Sequence, residues 1–167
     1  MTFESGLWEL YLNASLRTLG LAPDMSFAAP DFVVTNPTRV VLEATIAAPA
    51  QGGKPAYNYA MEDIPQDFGE FNSEAAVRIC NSFDGKVRRY RNYYKDLPYV
   101  GDSPYVIGIA AFDRPMAHFA ASRPILAAIY GLYHDEEATP RDATKVASYN
   151  VQTAAKSSTV DIPVGLF

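Results

Sequence analysis

The sequence predicts an α/β domain in which a mixed β-sheet carries helices on both faces. Apolar residues recur at helical spacing between residues 5 and 20, as expected of an amphipathic helix. Two segments rich in β-branched residues flank the turn-forming pair Asn36-Pro37. A continuous apolar segment, Tyr105 to Phe112, is typical of a fully buried strand. Because helices and strands alternate along the chain, they can form one layered domain.

The first predicted helix lies close to the amino end of the chain. Ser5 is expected to be its N-cap, and Gly20 is expected to follow its last turn. The apolar face of this helix is formed by Trp8, Leu12, Leu16 and Leu19. These four residues predict that the helix packs against the sheet.

A hairpin is predicted from two strands, residues 31–35 and 39–47. Both faces of the second strand are largely apolar, which is expected of a strand covered by helices on each side. Glu43 is the exception within that strand. A buried carboxylate costs several kcal/mol unless it is hydrogen-bonded, paired with a cation or bound to a metal. Glu43 is therefore predicted to have a specific partner.

Residues 48–71 are rich in Gly, Pro, Tyr and acidic residues and lack periodicity, which predicts a long surface insertion. A second helix is expected to begin near Asn72 or Ser73, with Gly85 weakening its middle. Its apolar stripe is formed by Ala76, Ile79, Phe83, Val87, Tyr90 and Tyr94. The opposite side of this helix is strongly basic.

After the buried strand, residues 116–121 and 125–130 are predicted to be helical. The polar segment 133–159 is expected to be a loop, and residues 162–167 are expected to form a closing strand. The predicted order is thus helix, hairpin strands, helix, buried strand, helix and closing strand. This order suits a mixed sheet between helices.

Length and composition favour a single domain over residues 1–167, and a domain cut from a longer chain is an open alternative. The 167 residues are 49% apolar, which is sufficient for one hydrophobic core. The net charge of −5 argues against binding nucleic acid or membrane through overall charge. The lone cysteine, Cys80, cannot form an internal disulfide, and no membrane span or leader is evident. The cytoplasm is the expected location, with no membrane partner.

Asp31 and Glu43 are the best candidates for chemistry. An antiparallel hairpin through Asn36-Pro37 brings the two carboxylates together on one side of the sheet. Such a pair suits Mg²⁺ or Mn²⁺, which would activate water and stabilise the charge of a phosphate. Taken singly, each acid is more simply explained as a turn residue or a solvated strand end.

The elements Pro30-Asp31-Phe32 and Val41-Leu42-Glu43-Ala44-Thr45 resemble the PD-(D/E)xK, or restriction-endonuclease-like, nuclease superfamily. The resemblance spans most of the chain, although its motifs are short and degenerate. It implies a core of α-β-β-β-α-β order and a metal-dependent endonuclease, with DNA preferred over RNA as substrate. It also implies that Asp31 and Glu43 are metal ligands and that Glu9 of the first helix is a further one. Many nucleases of this fold act as homodimers, so a homodimer is an open expectation.

One position departs from this motif, because Thr45 stands where the superfamily has its catalytic lysine. In the superfamily this lysine can be supplied by the following helix, and Lys86 is the natural candidate here. Its implied role is to orient the attacking water and to stabilise the pentavalent phosphate. The structural alternative is that Lys86 belongs only to a solvated basic face.

A basic segment that interleaves cations and aromatic residues follows Lys86, a pattern that suits phosphate contacts and base stacking. The predicted nucleic-acid-binding residues are Arg78, Arg88, Arg89, Arg91 and Lys95. Many exposed helices carry such a pattern without binding anything.

Two other functions stay open at this point. The first is an inactive module that keeps the nuclease fold and binds nucleic acid or a protein partner, as Thr45 and the acidic net charge favour. The second is a metal-independent hydrolase of sugars that uses the carboxylate pair. The sequence contains no zinc-ligand spacing, Walker loop, dinucleotide-binding glycine motif or nucleophile elbow.

Overall fold

The computed structural model describes residues 2–57, 59–139, 144–157 and 159–165. Within these ranges the chain is mixed α/β, as the sequence predicts. The helices are α1 (Phe3–Thr18), α2 (Phe68–Asn92) and α3 (Arg123–Tyr130). The strands are β1 (Phe32–Val34), β2 (Val40–Ala47), β3 (Tyr105–Ala111), β4 (Leu132–His134), β5 (Ser148–Asn150), β6 (Thr153–Ser157) and β7 (Val160–Pro163).

The chain divides into two compact units. The first comprises residues 1–46 and 82–110, and the second comprises residues 47–81 and 111–167. All of the predicted site residues except Arg78 belong to the first unit. That the whole chain is one domain stays a prediction.

The largest sheet has three strands in the order β1-β2-β3. Strands β1 and β2 form the predicted antiparallel hairpin. The Val41 amide donates to the Pro104 carbonyl at 3.0 Å, and the Phe112 amide donates to the Ala47 carbonyl at 3.1 Å. Because these bonds follow the same order along both segments, β3 runs parallel to β2. The sheet is therefore mixed.

Helix α1 covers one face of this sheet. Its Leu16 is buried against Leu42, and the Trp8 indole nitrogen donates to the Gly108 carbonyl at 3.0 Å. A Cβ atom at Gly108 would lie 3.0 Å from a methyl group of Leu12. Glycine at this position of β3 therefore allows α1 to approach the sheet closely.

The opposite face of the sheet carries a second apolar cluster. Val33 and Val41 are fully buried there together with Val100, and Tyr90 of α2 packs against them. Since side chains alternate along a strand, Glu43 shares this face of β2 with Val41. The two faces of the hairpin are thus covered by different helices, as expected from its apolar pattern.

Helix α1 differs from the prediction at its start. Thr2, rather than Ser5, is the N-cap, and its side chain accepts from the Ser5 amide. The Ser5 hydroxyl in turn accepts from the Thr2 amide at 3.0 Å. This reciprocal pair is a capping box, in which Ser5 occupies the third helical position. The helix therefore begins earlier than predicted.

The predicted start of α2 is also wrong, because the helix begins at Phe68 rather than at Asn72 or Ser73. The Asp67 carboxylate accepts from the Glu70 amide at 2.9 Å and satisfies a free donor of the first turn. The predicted insertion 48–71 is correspondingly shorter and contains a 3-10 turn at Met61–Asp63. Gly85 does not interrupt the helix.

The α-β-β-β-α-β order implied by the resemblance is not found in the described residues, whereas the order of helix, hairpin strands, helix, strand and helix derived from the residue pattern is observed. Among the described residues between β2 and α2 there is no strand, so the first elements follow an α-β-β-α-β order. Strand β3 is mostly half-buried rather than fully buried. Of the predicted helical residues 116–121, residues 117–120 form a short 3-10 helix.

The second unit corrects the prediction for the carboxyl-terminal part of the chain. Segment 133–159 is not simply a loop, because it contains most of β4 and all of β5 and β6, and β4 pairs with β5. The closing strand is shorter than predicted, and β7 pairs with β6 instead of joining the three-stranded sheet. These pairs join segments that are near in sequence, which lowers the entropy cost of closing each loop. Residues 166 and 167 lie outside the described part of the chain.

Among the helices of the described residues, none is long and apolar enough to cross a membrane. The cytoplasmic location stays a prediction. Cys80 is buried in α2, and burial raises the pKa of its thiol.

Candidate active site

Asp31 lies immediately before β1 and faces the central strand of the sheet. The pairing of Phe32 with Leu42 places Asp31 opposite Glu43 when the same antiparallel register is extended by one residue. One Asp31 oxygen, Oδ2, accepts a hydrogen bond from the Ala44 amide at 2.7 Å. This bond holds the Asp31 carboxylate against the backbone next to Glu43.

Glu43 is the most deeply buried carboxylate of this group, with 2% of its surface exposed. Its Oε1 atom accepts from Lys86 Nζ at 2.6 Å and from the Tyr94 hydroxyl at 3.3 Å. Its Oε2 atom is buried without a hydrogen-bond partner. Burying a carboxylate oxygen in this way lowers stability, because the oxygen loses its hydrogen bonds to water and forms none within the protein. Glu43 thus retains an unused acceptor.

Lys86 reaches Glu43 from α2, 43 residues later in the chain. One helical turn before it, the Ser82 hydroxyl donates to the Ile46 carbonyl at 3.0 Å and fixes this part of α2 beside β2. The Lys86 side chain is 22% exposed. An ammonium group carries three donors, so the bond to Glu43 leaves others available at the solvent side.

Two tyrosines of the site were not predicted as functional residues. Tyr94, which is 1% exposed, donates to Glu43, and burial followed by the charge of Glu43 raises its pKa to about 12. The buried Tyr105 hydroxyl has no hydrogen-bond partner, and burial raises its pKa further. Both phenols are therefore neutral at physiological pH. The only sequence signal was tyrosine, rather than phenylalanine, at apolar positions.

Glu9 is half-buried on α1, close enough to the other two acids to be affected by their charges. Partial burial, then Asp31 and also Glu43, raise the pKa of Glu9, whereas Lys86 lowers it. Three carboxylates and one ammonium group thus share one electrostatic environment. The structure brings together Asp31, Glu43 and Lys86, and Glu9 lines the same surface cleft as Asp31. Thr45, in the motif position of the lysine, supplies no cation.

The predicted basic segment is largely solvent-exposed. Arg88, Arg91 and Lys95 are exposed, and Arg88 forms an ion pair of 3.1 Å with Asp84 one turn earlier. The Arg89 guanidinium lies 5.2 Å from the centre of the Tyr94 ring. Arg78 is half-buried and belongs to the other compact unit. Four of the five predicted cations thus lie on one segment of the first unit, at and just beyond the end of α2.

The carboxylate oxygens of Asp31 and Glu43 are the kind of ligand that a hard divalent cation binds. Asp31 and Glu43 face each other, and the buried Glu43 Oε2 atom lacks a partner that a cation would supply. No group of three or more His, Cys, Asp or Glu residues suited to hold an ion occurs in the described ranges. Mg²⁺ needs only one or two carboxylates when waters and phosphate complete its coordination. Asp31 and Glu43 are the residues that would hold it.

Comparisons with known proteins give no relative for this chain. No protein-family model, no curated protein and no solved structure matches it. The functional argument therefore depends on the residues of the site.

Changing Asp31 to Asn is expected to stabilise the metal-free protein. Burial and then the charge of Glu43 raise the pKa of Asp31. The stability that this residue contributes is complete below its pKa in the unfolded chain and is lost as the pH rises through the raised pKa of the folded state. At neutral pH its charge is thus a net cost, whereas Asn can still accept from the Ala44 amide.

Thermal unfolding in EDTA tests this prediction, since each kcal/mol gained raises Tm by about 2–4 °C in a chain of this size. The gain should be measurable at pH 7 and shrink towards pH 3. Asp102→Asn, at an exposed position of the same unit, is the control and should leave Tm nearly unchanged. A Tm below that of the wild type at pH 7 would show that the Asp31 charge is stabilising instead.

Proposed function

We propose that this protein is a metal-dependent endonuclease that hydrolyses phosphodiester bonds, with a restriction-endonuclease-like core and DNA as the preferred substrate. The observation that carries the proposal is the contact between Lys86 and Glu43 beside Asp31. Two facing carboxylates and an ammonium group next to them are the functional groups that metal-assisted phosphodiester hydrolysis requires. The resemblance of the motif around Asp31 and Glu43 supports the same function.

The energetics of the group also favour a functional explanation. Asp31 and Glu43 repel each other, and the unpartnered Glu43 oxygen is buried. A purely structural site would gain stability by replacing Asp31 with a neutral residue. Functional sites retain residues that lower stability in this way, because the repelling carboxylates are used in binding or catalysis.

Each residue of the candidate active site has a distinct proposed role. Asp31 and Glu43 hold Mg²⁺ or Mn²⁺, which when bound lowers the pKa of a water molecule and neutralises phosphate charge. Lys86 directs its remaining donors to the phosphate and stabilises the negative charge that develops there. Tyr94 donates to Glu43 and keeps its carboxylate in place. Glu9 is close enough to assist as a further acid.

The test is cleavage of supercoiled plasmid, linear DNA and structured RNA in the presence of Mg²⁺, Mn²⁺ or EDTA. We expect cleavage with either metal ion and none in EDTA. Cleavage that persists in EDTA would contradict a metal-dependent mechanism. It would favour metal-independent hydrolysis by the two carboxylates instead. A folded protein that cuts none of these substrates with either metal would contradict the nuclease function.

A binding module without catalysis is the second candidate, favoured by the exposed cations that follow Lys86. Changing Arg88, Arg89 and Arg91 together to Gln should weaken nucleic-acid binding strongly. Each lost phosphate contact reduces the slope of log K against log salt concentration by about 0.7–0.9 in magnitude. The slope of the triple variant should therefore be smaller by about 2–3. Binding titrations at several salt concentrations measure this slope, with the exposed Arg39→Gln as control. An unchanged slope would remove this helix from the nucleic-acid interface.

A further inference from the structure

A cleft of about 380 Å³ lies beside the carboxylates in the first unit. Its lining includes the apolar side chains of Leu10, Met25, Phe27 and Phe32 and the acids Glu9 and Asp31. Asp31 therefore belongs both to the cleft and to the proposed metal-binding pair. Whatever occupies the cleft is directly next to the site of the proposed reaction.

The rim and the inner wall of the cleft differ in solvent exposure. Leu10 and Met25 are 71% and 61% exposed, respectively, so their side chains can adapt to a ligand. Phe27 is held in place by stacking on Tyr99, with 4.2 Å between the ring centres. An apolar wall with a packed aromatic ring and exposed rim residues suits a flat, apolar group.

The free polar atoms of the cleft are hydrogen-bond acceptors. The Asn13 amide is engaged at both ends, because its oxygen accepts from Arg17 Nε at 2.7 Å and its nitrogen lies 3.9 Å from the Met25 sulfur. The carboxylates of Glu9 and Asp31 can each accept several hydrogen bonds, and the bond from the Ala44 amide to Asp31 Oδ2 uses one of these positions. Among the described residues that line the cleft, none is Lys or Arg. A phosphate would be repelled here, whereas a neutral group with N–H donors is favoured.

We propose that this cleft binds an unpaired nucleobase adjacent to the scissile phosphate, so that the substrate is single-stranded or locally unpaired nucleic acid. The inference rests on the proposed function, since it assigns the neighbour of the phosphate that the proposed metal site would bind. A nucleobase is flat and largely apolar on its faces, and exocyclic amino groups at its edge donate to carboxylates. A base within a duplex is stacked and paired and must leave the helix to enter such a cleft.

This proposal distinguishes the cleft from a site for an apolar protein side chain. An aliphatic or aromatic side chain would cover Glu9 and Asp31 without donating hydrogen bonds, and burying unpaired carboxylates is costly. A nucleobase fills the apolar part and also supplies donors to the acids. The charge of the cleft and its continuity with Asp31 therefore both favour a nucleobase as the ligand.

The experiment measures binding separately from cleavage. Oligonucleotides that contain 2-aminopurine, as a single strand and within a duplex, are titrated with the protein in Ca²⁺ buffer. We expect the single strand to bind at least about tenfold more tightly, and the Leu10→Ala/Met25→Ala variant to lose about tenfold of that affinity, as expected when about 55 Å² of apolar contact with the base is removed. Phe3→Ala/Leu7→Ala removes exposed apolar side chains of α1 outside the cleft and should bind like the wild type.

Equal binding of duplex and single strand, or an unchanged affinity of the Leu10→Ala/Met25→Ala variant, would overturn the inference about the cleft. If cleavage with Mg²⁺ is nevertheless observed, the proposed function stands without it. If no substrate is cut but the single strand still binds through the cleft, the nuclease proposal fails and the base-binding site stands. In an active enzyme we expect supercoiled plasmid, which exposes unpaired bases, to be nicked faster than linear duplex.

Discussion

Asp31→Asn and Glu43→Gln are each expected to abolish metal-dependent cleavage in a protein that still folds. A bound metal ion contributes several kcal/mol of transition-state stabilisation in hydrolysis, so losing either ligand should lower the rate by about a thousandfold or more. Both substitutions preserve the size of the side chain. Asn at position 31 can still accept from the Ala44 amide, and Gln at position 43 can still accept from Lys86.

Single-turnover cleavage rates and thermal unfolding of the same preparations check this prediction. The sharpest result would be an Asp31→Asn protein that is more stable than the wild type in EDTA and yet inactive with Mg²⁺. Glu9→Gln should cost less activity, because Glu9 is only half-buried at the edge of the group. Full activity of either ligand variant would remove that residue from the proposed site.

Lys86→Met is expected to cause the largest loss of stability. Lys86 is the cation that pairs with the buried Glu43 carboxylate, and removing one partner of a buried pair leaves an uncompensated charge. The expected cost at pH 7 is about 3 kcal/mol, the lower end of the range for buried pairs, because Lys86 is still partly exposed. Activity should also fall, by about 10²–10³-fold, if the ammonium stabilises the phosphate.

Chemical denaturation of a double-mutant cycle isolates this interaction. Adding Glu43→Gln to Lys86→Met should recover much of the lost stability, because the unpaired charge is then absent. The exposed pair of Arg88 and Asp84, whose side chains are 68% and 62% exposed, is the matched control on the same helix. Arg88→Met should cost less than about 0.5 kcal/mol. Equal costs for the two substitutions would show that Lys86 is only part of the solvated face.

The sequence by itself determined the parts of the molecule that depend on neighbouring residues. The pattern of α1, the Asn36-Pro37 turn and the two strands beside it fixed which residues face each other, so Asp31 and Glu43 could be paired from the sequence. Glu43 also stood out because one acid interrupted an apolar strand. Alternation and register are local properties, and a shift of one residue would have moved every side chain to the wrong face.

The tertiary structure decided what depends on residues far apart in the chain. The sequence offered Lys86 as one candidate with an equally plausible solvated alternative, and only the packing of α2 beside β2, through Ser82 and Ile46, brings its ammonium to Glu43. The same packing buries the Tyr94 hydroxyl against that carboxylate. The pairing of β7 with β6 rather than with the three-stranded sheet could not be predicted from the sequence either. Periodicity shows which face of an element is apolar, but several partners can cover the same face, and the choice among them is made by the packing of the whole chain.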